Sequence, residues 1–73
     1  MRDPFTDPQP GDVVELRPGW TRTVTRRVDH WVVFEVFSDG RLGELSVRSL
    51  DGWRRSCDLP TARVIRRGDA QNA

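Results

Sequence analysis

The chain has 73 residues, of which 36% are hydrophobic and 32% are charged, and its formal net charge at pH 7 is +1. This length predicts a single domain with a thin core, and the near-zero charge does not favour a DNA-wrapping protein or an acidic DNA mimic. The single cysteine excludes a disulfide-stapled scaffold. No run of about 20 apolar residues could cross a membrane, and no apolar leader follows Met1, so we expect a cytoplasmic protein.

The first ten residues differ in composition from the rest of the chain. They contain three prolines and two aspartates, which predicts an extended, proline-rich flexible arm over 1–10, with Phe5 mobile rather than docked on the core. An alternating strand follows over 11–17. Pro18-Gly19 then predicts a type II turn, because the third position of that turn requires a positive φ.

The second strand, Thr21–Val28, has no cleanly apolar face. Val24 and Val28 require the core more than the threonines do, so we expect their face to point inward, with the arginines of that face at the rims. A bulge at Arg26-Arg27 would relieve the conflict between arginine and core. The residues expected to face solvent are Thr21, Thr23, Thr25 and Arg27.

The third strand, His30–Phe37, follows an Asp29-His30 turn and is almost entirely β-branched or aromatic. Two apolar sets alternate along it. We assign to the core the unbroken set Val32, Phe34 and Val36. The other set would form an exposed stripe, large enough to bind a protein partner or a second copy; it consists of Trp31, Val33 and Phe37. The equally weighted alternative is that the arm or the short helix covers this stripe.

An Asp39-Gly40 turn, a fourth strand over 42–48, a short helix and a last strand over 62–66 complete the domain. The helix begins after the N-cap Ser49, ends before Pro60 and has one apolar face, formed by Leu50, Trp53 and Cys57. This order is typical of a mainly β protein, a small SH3-like or Tudor-like antiparallel barrel of about five strands with one short helix before the last strand. We expect the barrel over 11–67 and a polar tail over 68–73.

Three short segments carry a resemblance to known sequences: PGDVVELR (10–17), RTVTRR (22–27) and SLDGWRR (49–55). They resemble short open reading frames of phages and prophages, many of which are predicted small barrels, over roughly residues 10 to 64 of this chain. The resemblance implies a mobile-element accessory protein that binds a host or phage protein and blocks or bridges it, such as an inhibitor of the anti-CRISPR type. No catalytic residues follow from it.

Few residues are available for catalysis or metal binding. A metal site needs three or four His, Cys or carboxylate ligands, whereas the chain has one histidine, His30, and one cysteine, Cys57, which lies on the apolar helix face. Gly40 and Gly43 do not form a phosphate-binding loop, since no lysine follows them. We therefore expect no enzyme activity, no metal and no cofactor.

Two functions remain, and the basic residues, all twelve of them arginine, suit both because arginine binds phosphate and carboxylate alike. A protein-binding module would use the exposed stripe with arginine neighbours; the residues predicted for it are Trp31, Val33, Phe37, Arg27, Arg54 and Arg55. A nucleic-acid-binding barrel would place arginines on phosphates and stack a tryptophan on a base; its predicted residues are Arg17, Trp20, Arg22, Arg26 and Arg27. The simpler alternative is that the arginines pair with surface acids such as Asp29, Glu44 and Asp51.

Overall fold

The computed structural model describes residues 2–68, and its architecture is mainly β. Within these residues the elements are β1 (Val13–Arg17), β2 (Trp20–Val28), β3 (Trp31–Ser38), β4 (Arg41–Ser49), the helix α1 (Leu50–Ser56) and β5 (Arg63–Arg66). The prediction of five antiparallel strands with one short helix before the last strand is confirmed.

The five strands form one sheet in the order β4-β3-β2-β1-β5. β4 and β5 lie at opposite edges and do not pair with each other among the described residues, so the sheet is open and the predicted closure into a barrel is not observed. A physical reason lies in β4, which turns Glu44, Ser46 and Arg48 toward the core side of the sheet. A strand with this polar side gains little by closing over an apolar core.

The turns between the first four strands coincide with residues of positive φ. Gly19 (φ 82°) follows Pro18 between β1 and β2, Asp29 (φ 51°) lies between β2 and β3, and Gly40 (φ 77°) lies between β3 and β4. Glycine adopts this region freely and aspartate tolerates it. The predicted positions of all three turns are confirmed.

One side of the sheet, which we call the inner face, carries the core together with α1. Phe34 of β3 contacts Trp53 of α1 edge to face, with ring centroids 5.1 Å apart. α1 begins after the N-cap Ser49, whose hydroxyl oxygen accepts a hydrogen bond from the Gly52 N–H. The buried apolar residues confirm the predicted core set of β3 and the predicted apolar helix face; they are Val14, Leu16, Val24, Val32, Phe34, Trp53 and Cys57, with Val36 and Leu50 partly buried against them.

β2 contains a bulge, but not at the predicted position. Its register against β3 shifts between Val24 and Arg26, so Thr25 is the extra residue. Because one extra residue reverses the side of every later side chain, Arg26 and Val28 face away from the core and Arg27 turns toward it. Val28 is accordingly 45% exposed, whereas the Arg27 side chain is 15% exposed. The predictions of a buried Val28 and a solvent-facing Arg27 are wrong.

The N-terminal segment packs on the core instead of extending away from it as a flexible arm. Pro4 and Pro8 are fully buried, and Phe5 is partly buried against the core. The Trp53 Nε1–H donates a hydrogen bond of 3.0 Å to the Pro4 carbonyl oxygen, which gives the buried indole the acceptor it needs. Proline rings are apolar and proline carbonyls accept hydrogen bonds, so a proline-rich segment suits this position although its composition is typical of a loose arm.

A buried carboxylate fastens this segment to the rest of the domain. Asp12 is fully buried and accepts hydrogen bonds from both Nη atoms of Arg2 and from the backbone N–H groups of Gln9 and Gly68. Burial alone would raise the pKa of Asp12, but these hydrogen bonds outweigh it and hold the pKa below its ordinary value. Gly68 is the first residue of the predicted polar tail, and residues 69–73 lie outside the described part of the chain.

Candidate functional site

The face of the sheet opposite the core carries apolar residues of β2, β3 and β4, with Glu35 and Arg26 among them. Residues that pair across antiparallel strands share a face, so neighbouring strands extend the exposed stripe of β3 on both sides. Trp31 lies opposite Val28 of β2, and β4 places apolar residues opposite Val33 and Phe37. We call this surface the outer apolar face; its members are Val28, Trp31, Val33, Phe37, Leu42, Leu45 and Val47.

Much of the outer apolar face is open to solvent. Trp31 is 53% exposed, Leu45 is 65% exposed and Leu42 is 89% exposed. Within residues 2–68, neither the N-terminal segment nor α1 covers it, since Phe5 and Leu50 pack against the core on the inner face. The structure thus brings together the three predicted stripe residues and adds to them apolar residues of the two neighbouring strands.

Arg27, predicted to flank the stripe, lies on the other side of the sheet. Its Nη1 donates hydrogen bonds of 3.0 Å to Asp7 Oδ1 and to the Pro8 carbonyl oxygen. Its Nε donates a hydrogen bond of 2.7 Å to the Asp29 carbonyl oxygen. Arg27 therefore holds the N-terminal segment against the sheet and is not positioned to contact a ligand of the outer apolar face.

Arg54 and Arg55, the other predicted neighbours, lie on α1, which packs on the inner face. Arg54 Nε donates a hydrogen bond of 2.8 Å to the Thr6 carbonyl oxygen, and Arg55 forms an ion pair with Asp51 one helical turn away. The structure therefore does not bring these arginines to Trp31. Their separation follows from the side of the sheet that α1 covers, which the helix periodicity alone does not indicate.

The inner face also bears a cleft beside the core, which we call the arginine cleft. Its first lobe, about 230 Å³ in volume, has a mostly polar lining that includes Arg22, Arg41, Glu44, Ser46 and Arg48. A second lobe of about 260 Å³ adjoins it and has more apolar walls, among them Leu16, Trp20 and Leu59. Leu16, Trp20 and Arg22 line both lobes, so the two form one continuous concave surface.

Arg22 lies deepest of the cleft arginines. Its guanidinium carbon is 4.9 Å from the ring centroid of Phe34 and 5.6 Å from that of Trp53, and its Nη1 donates a hydrogen bond of 2.7 Å to Ser56 Oγ. Burial, and next the nearby positive charge of Arg48, lower the pKa of Arg22. Aromatic ring faces and a serine oxygen thus hold a guanidinium that has no carboxylate partner among the described residues.

The residues predicted for nucleic-acid binding divide among three surfaces. Arg17, Trp20 and Arg22 line the second lobe of the cleft. Arg26 lies on the outer face, opposite Val33, and Arg27 is held by the N-terminal segment. A single arginine-rich strand surface, as predicted, is therefore not formed.

Two cleft arginines, Arg41 and Arg48, were not predicted. They come from β4 and meet Arg22 only through the pairing of β4 with β3. The available signal was the polar side of β4, where Glu44, Ser46 and Arg48 alternate with apolar residues. An alternating strand shows which residues share a side, but not which side faces the core.

The groups with the most reactive side chains are not arranged together. Cys57 is buried, and burial raises the pKa of its thiol, so the nucleophilic thiolate is disfavoured. His30 is exposed in the turn before β3. Within residues 2–68, no group of three His, Cys, Asp or Glu side chains could hold a metal ion.

Comparisons with known proteins gave no match, either to a family model or at a significant level to a curated protein or a solved structure. In the described part of the chain, no helix has the length and apolar character needed to span a membrane. The functional interpretation therefore depends on the outer apolar face and the arginine cleft.

Proposed function

We propose that the chain is a non-enzymatic binding module with an SH3-like small-barrel architecture, and that it binds a protein partner through the outer apolar face. The strand order β4-β3-β2-β1-β5, with α1 between β4 and β5, supports this architecture even though the sheet is open. In the role that the sequence resemblance supports, a mobile-element accessory protein of the anti-CRISPR type, the module blocks or bridges a host or phage protein.

The observation that carries this proposal is the size of the outer apolar face. Seven apolar residues of three neighbouring strands lie on one side of a sheet whose core is on the other side. Glu35 and Arg26 also lie on this side. Monomeric domains nevertheless rarely leave so many large apolar side chains together in water unless they serve an interaction. Trp31, half exposed at one end of this surface, is of the residue type that most often dominates interface energies.

The strand that borders this surface indicates the form of the partner. β4 is an edge strand of nine residues, and its outer side chains include Leu42, Leu45 and Val47. An extended segment of a partner could add to this edge through backbone hydrogen bonds and place its own apolar side chains beside those of β4. We therefore propose a partner that contributes an extended, alternately apolar segment.

The test compares two tryptophans with similar exposure on opposite sides of the sheet. Trp31 on the outer apolar face is 53% exposed, and Trp20 at the cleft is 46% exposed. A tagged wild type is used to capture the partner, and its affinity is then measured for wild type, Trp31→Ala and Trp20→Ala. Trp31→Ala should weaken binding by roughly 2 kcal/mol or more, about 30-fold, because desolvated tryptophans are hot spots. Trp20→Ala should bind as the wild type does.

Sedimentation of the wild type and Trp31→Ala shows first whether the occupant is a second copy of this chain. Circular dichroism confirms that both variants are folded. The proposal is wrong if the wild type is monomeric and its partner binding is unchanged by Trp31→Ala but lost in Trp20→Ala. Self-association that Trp31→Ala abolishes would replace the foreign partner with a homodimer.

The alternative function, a nucleic-acid-binding barrel with an arginine-rich second strand, has weaker support because its arginines lie on three surfaces. It predicts that affinity for random DNA falls with salt by roughly one unit of log–log slope for each phosphate contacted. A steep slope, together with partner binding that Trp31→Ala does not change, would favour the nucleic-acid-binding barrel over the protein-binding module.

A further inference from the structure

The arginine cleft is not used by the proposed docking surface, and its charges are unbalanced. Three arginines line the first lobe, against the single carboxylate of Glu44. Among the described residues, neither Arg41 nor Arg48 forms an ion pair. The first lobe is therefore positively charged and bears free guanidinium donors, with the Ser46 hydroxyl as a further donor.

Arg22 gives the strongest indication of a ligand. A partly buried guanidinium without a carboxylate loses hydration that aromatic faces restore only in part. Arg48, next to it, adds repulsion between like charges, which contributes to the lowered pKa of Arg22. An anion between Arg22 and Arg48 would offset both effects and would meet the guanidinium of Arg22, which the Ser56 hydrogen bond already holds in place.

The second lobe differs in chemistry from the first. None of the described residues that line it bears a carboxylate. Its apolar walls are Leu59 together with Leu16 and the half-exposed ring of Trp20, which line both lobes; its polar residues are Arg17, Arg22 and Ser56. Such walls suit a flat ring that can stack on an indole or a guanidinium. A carboxylate from an acidic peptide would use the first lobe and leave these walls uncovered, so the pair of lobes favours a ligand that joins an anion to a ring.

We infer that the arginine cleft is a nucleotide-binding site in which the first lobe holds a phosphate group and the second lobe holds the base. The nucleotide is either free or one unit of a single-stranded nucleic acid, since both present the same chemistry. Arg22 contacts both parts, Arg48 and Arg41 contact phosphate oxygens, and Trp20 stacks on the base. Glu44, the carboxylate of the first lobe, is the one group among its described residues that repels the phosphate.

The experiment is a titration of the full-length, ¹⁵N-labelled protein at low salt, in which the three indole N–H signals report three places. Trp20 reports the cleft, Trp31 the outer apolar face and Trp53 the core. The probes are adenosine monophosphate, adenosine, inorganic phosphate and a single-stranded oligoadenylate of eight nucleotides. Adenosine monophosphate should move the Trp20 signal and leave Trp31 and Trp53 in place, and it should bind more tightly than adenosine or phosphate.

Charge-matched variants test the residues. Arg48→Ala should weaken adenosine monophosphate binding about tenfold or more, because a charge-assisted hydrogen bond to phosphate is lost. Arg55→Ala removes the same charge from an exposed helix position that pairs with Asp51 outside the cleft, and it should leave binding unchanged. Glu44→Gln should strengthen binding several-fold, a change that a purely structural role of the cleft would not produce.

The oligoadenylate distinguishes the two sources of the nucleotide: much tighter binding of the oligomer indicates a single-stranded nucleic acid, and equal binding indicates a free nucleotide. An unmoved Trp20 signal with every probe would overturn the inference. The inference would also be overturned if Arg48→Ala and Arg55→Ala reduced the shift of the Trp20 signal equally. The same holds if an oligoglutamate peptide bound at Arg48 more tightly than the nucleotides do. The Trp31 signal stays independent, so failure here leaves the protein-binding proposal standing.

Discussion

The Asp12 carboxylate is the point at which the N-terminal segment, the start of β1 and residue 68 are joined. It is fully buried and accepts four hydrogen bonds, two from Arg2 and one each from the backbone of Gln9 and Gly68. Asp12→Ala removes the acceptor of two backbone N–H groups and one of the acceptors of the Arg2 guanidinium, which also donates to the Asp7 carbonyl oxygen. We expect this substitution to be one of the most destabilising single changes in the domain.

The magnitude follows from the donors left behind. An unsatisfied buried donor costs roughly 1–3 kcal/mol, and breaking a buried ion pair by removing one partner costs roughly 3–5 kcal/mol. These costs overlap, so we expect a loss of about 3–5 kcal/mol. A domain of this length has a free energy of unfolding of roughly 4–11 kcal/mol, at about 0.05–0.15 kcal/mol per residue. Asp12→Ala should therefore remove a large part of the free energy of unfolding.

The measurement is urea unfolding followed by tryptophan fluorescence, with the exposed Asp58→Ala as the control. Asp58→Ala should change the free energy of unfolding by less than about 0.5 kcal/mol, as exposed substitutions usually do. Asp12→Asn preserves the size of the side chain but turns an amide N–H₂ toward donors, so it should also be strongly destabilising. A loss below about 1 kcal/mol in Asp12→Ala would refute the reasoning.

The same carboxylate gives the wild type a defined dependence on pH. The folded pKa of Asp12 lies below the ordinary value of 3.8, so the folded state binds this proton less readily than the unfolded state does. Its stabilisation is fully present above that ordinary value and is lost as the pH falls through the folded pKa. The difference in stability between wild type and Asp12→Ala should therefore be constant near neutral pH and narrow below about pH 4. A constant difference down to pH 2 would contradict this.

Two further substitutions, measured by the same unfolding assay, test the core and a bulge in β4, where the register against β3 shifts at Gly43. Trp53→Ala should lower the free energy of unfolding by about 3–5 kcal/mol, because it removes the ring that packs on Phe34 and the hydrogen bond to the Pro4 carbonyl oxygen. Trp31→Ala should remain folded. If Trp31→Ala were the more destabilising of the two, the faces of the sheet would be misassigned. Gly43→Ala places a Cβ 3.1 Å from Glu35 Oε2 at a residue with a φ of 75°, whereas Gly40→Ala places one in open space at a φ of 77°. Gly43→Ala should therefore lower the free energy of unfolding more than Gly40→Ala does. Equal losses would show that the crowding has no effect.

The sequence predicted the parts of the fold that local chemistry determines. Pro18-Gly19, Asp29-His30 and Asp39-Gly40 marked the hairpins, because few residues adopt a positive φ without strain. The change from period 2 to a helical spacing after Ser49 marked α1 and its buried tryptophan. These signals lie within a few residues of the features they indicate, and each has one dominant physical cause.

The N-terminal segment shows where local chemistry was insufficient. Its prolines and aspartates are typical of a loose arm, yet Pro4 and Pro8 are buried and Asp7 binds Arg27. What orders this segment is a set of distant partners, among them the Trp53 indole, 49 residues along the chain from Pro4. Such contacts depend on the tertiary arrangement, and composition carries no information about them.

The candidate sites were predicted in part for the same reason. The apolar excess of β3 identified Trp31, Val33 and Phe37, because one strand cannot bury both of its sides in a single thin core. The contributions of β4 to both surfaces could not be assigned, since alternation gives two sides without saying which faces inward. Only the register of β4 against β3 places its leucines outward and Arg48 in the cleft.

Two β-bulges, each with one extra residue, account for much of the difference between the predicted and observed surfaces. In a regular strand Val24 and Val28 would share a side, and the bulge at Thr25 moves Val28 to the outer apolar face. Gly43 acts in the same way in β4. Leu42 and Leu45 are three residues apart and would lie on opposite sides of a regular strand, but the extra Gly43 brings them to the same outer side.

The bulge at Gly43 also changes the inner face. Because it reverses the side of every residue before it in β4, Arg41 lies opposite Ser38 on the core side and lines the arginine cleft, whereas an unbulged strand would turn it outward. One glycine of positive φ therefore enlarges the apolar surface on one side of the sheet and adds a guanidinium to the cleft on the other. The proposed protein-binding surface and the proposed nucleotide site thus depend on the same local irregularity, although they lie on opposite faces.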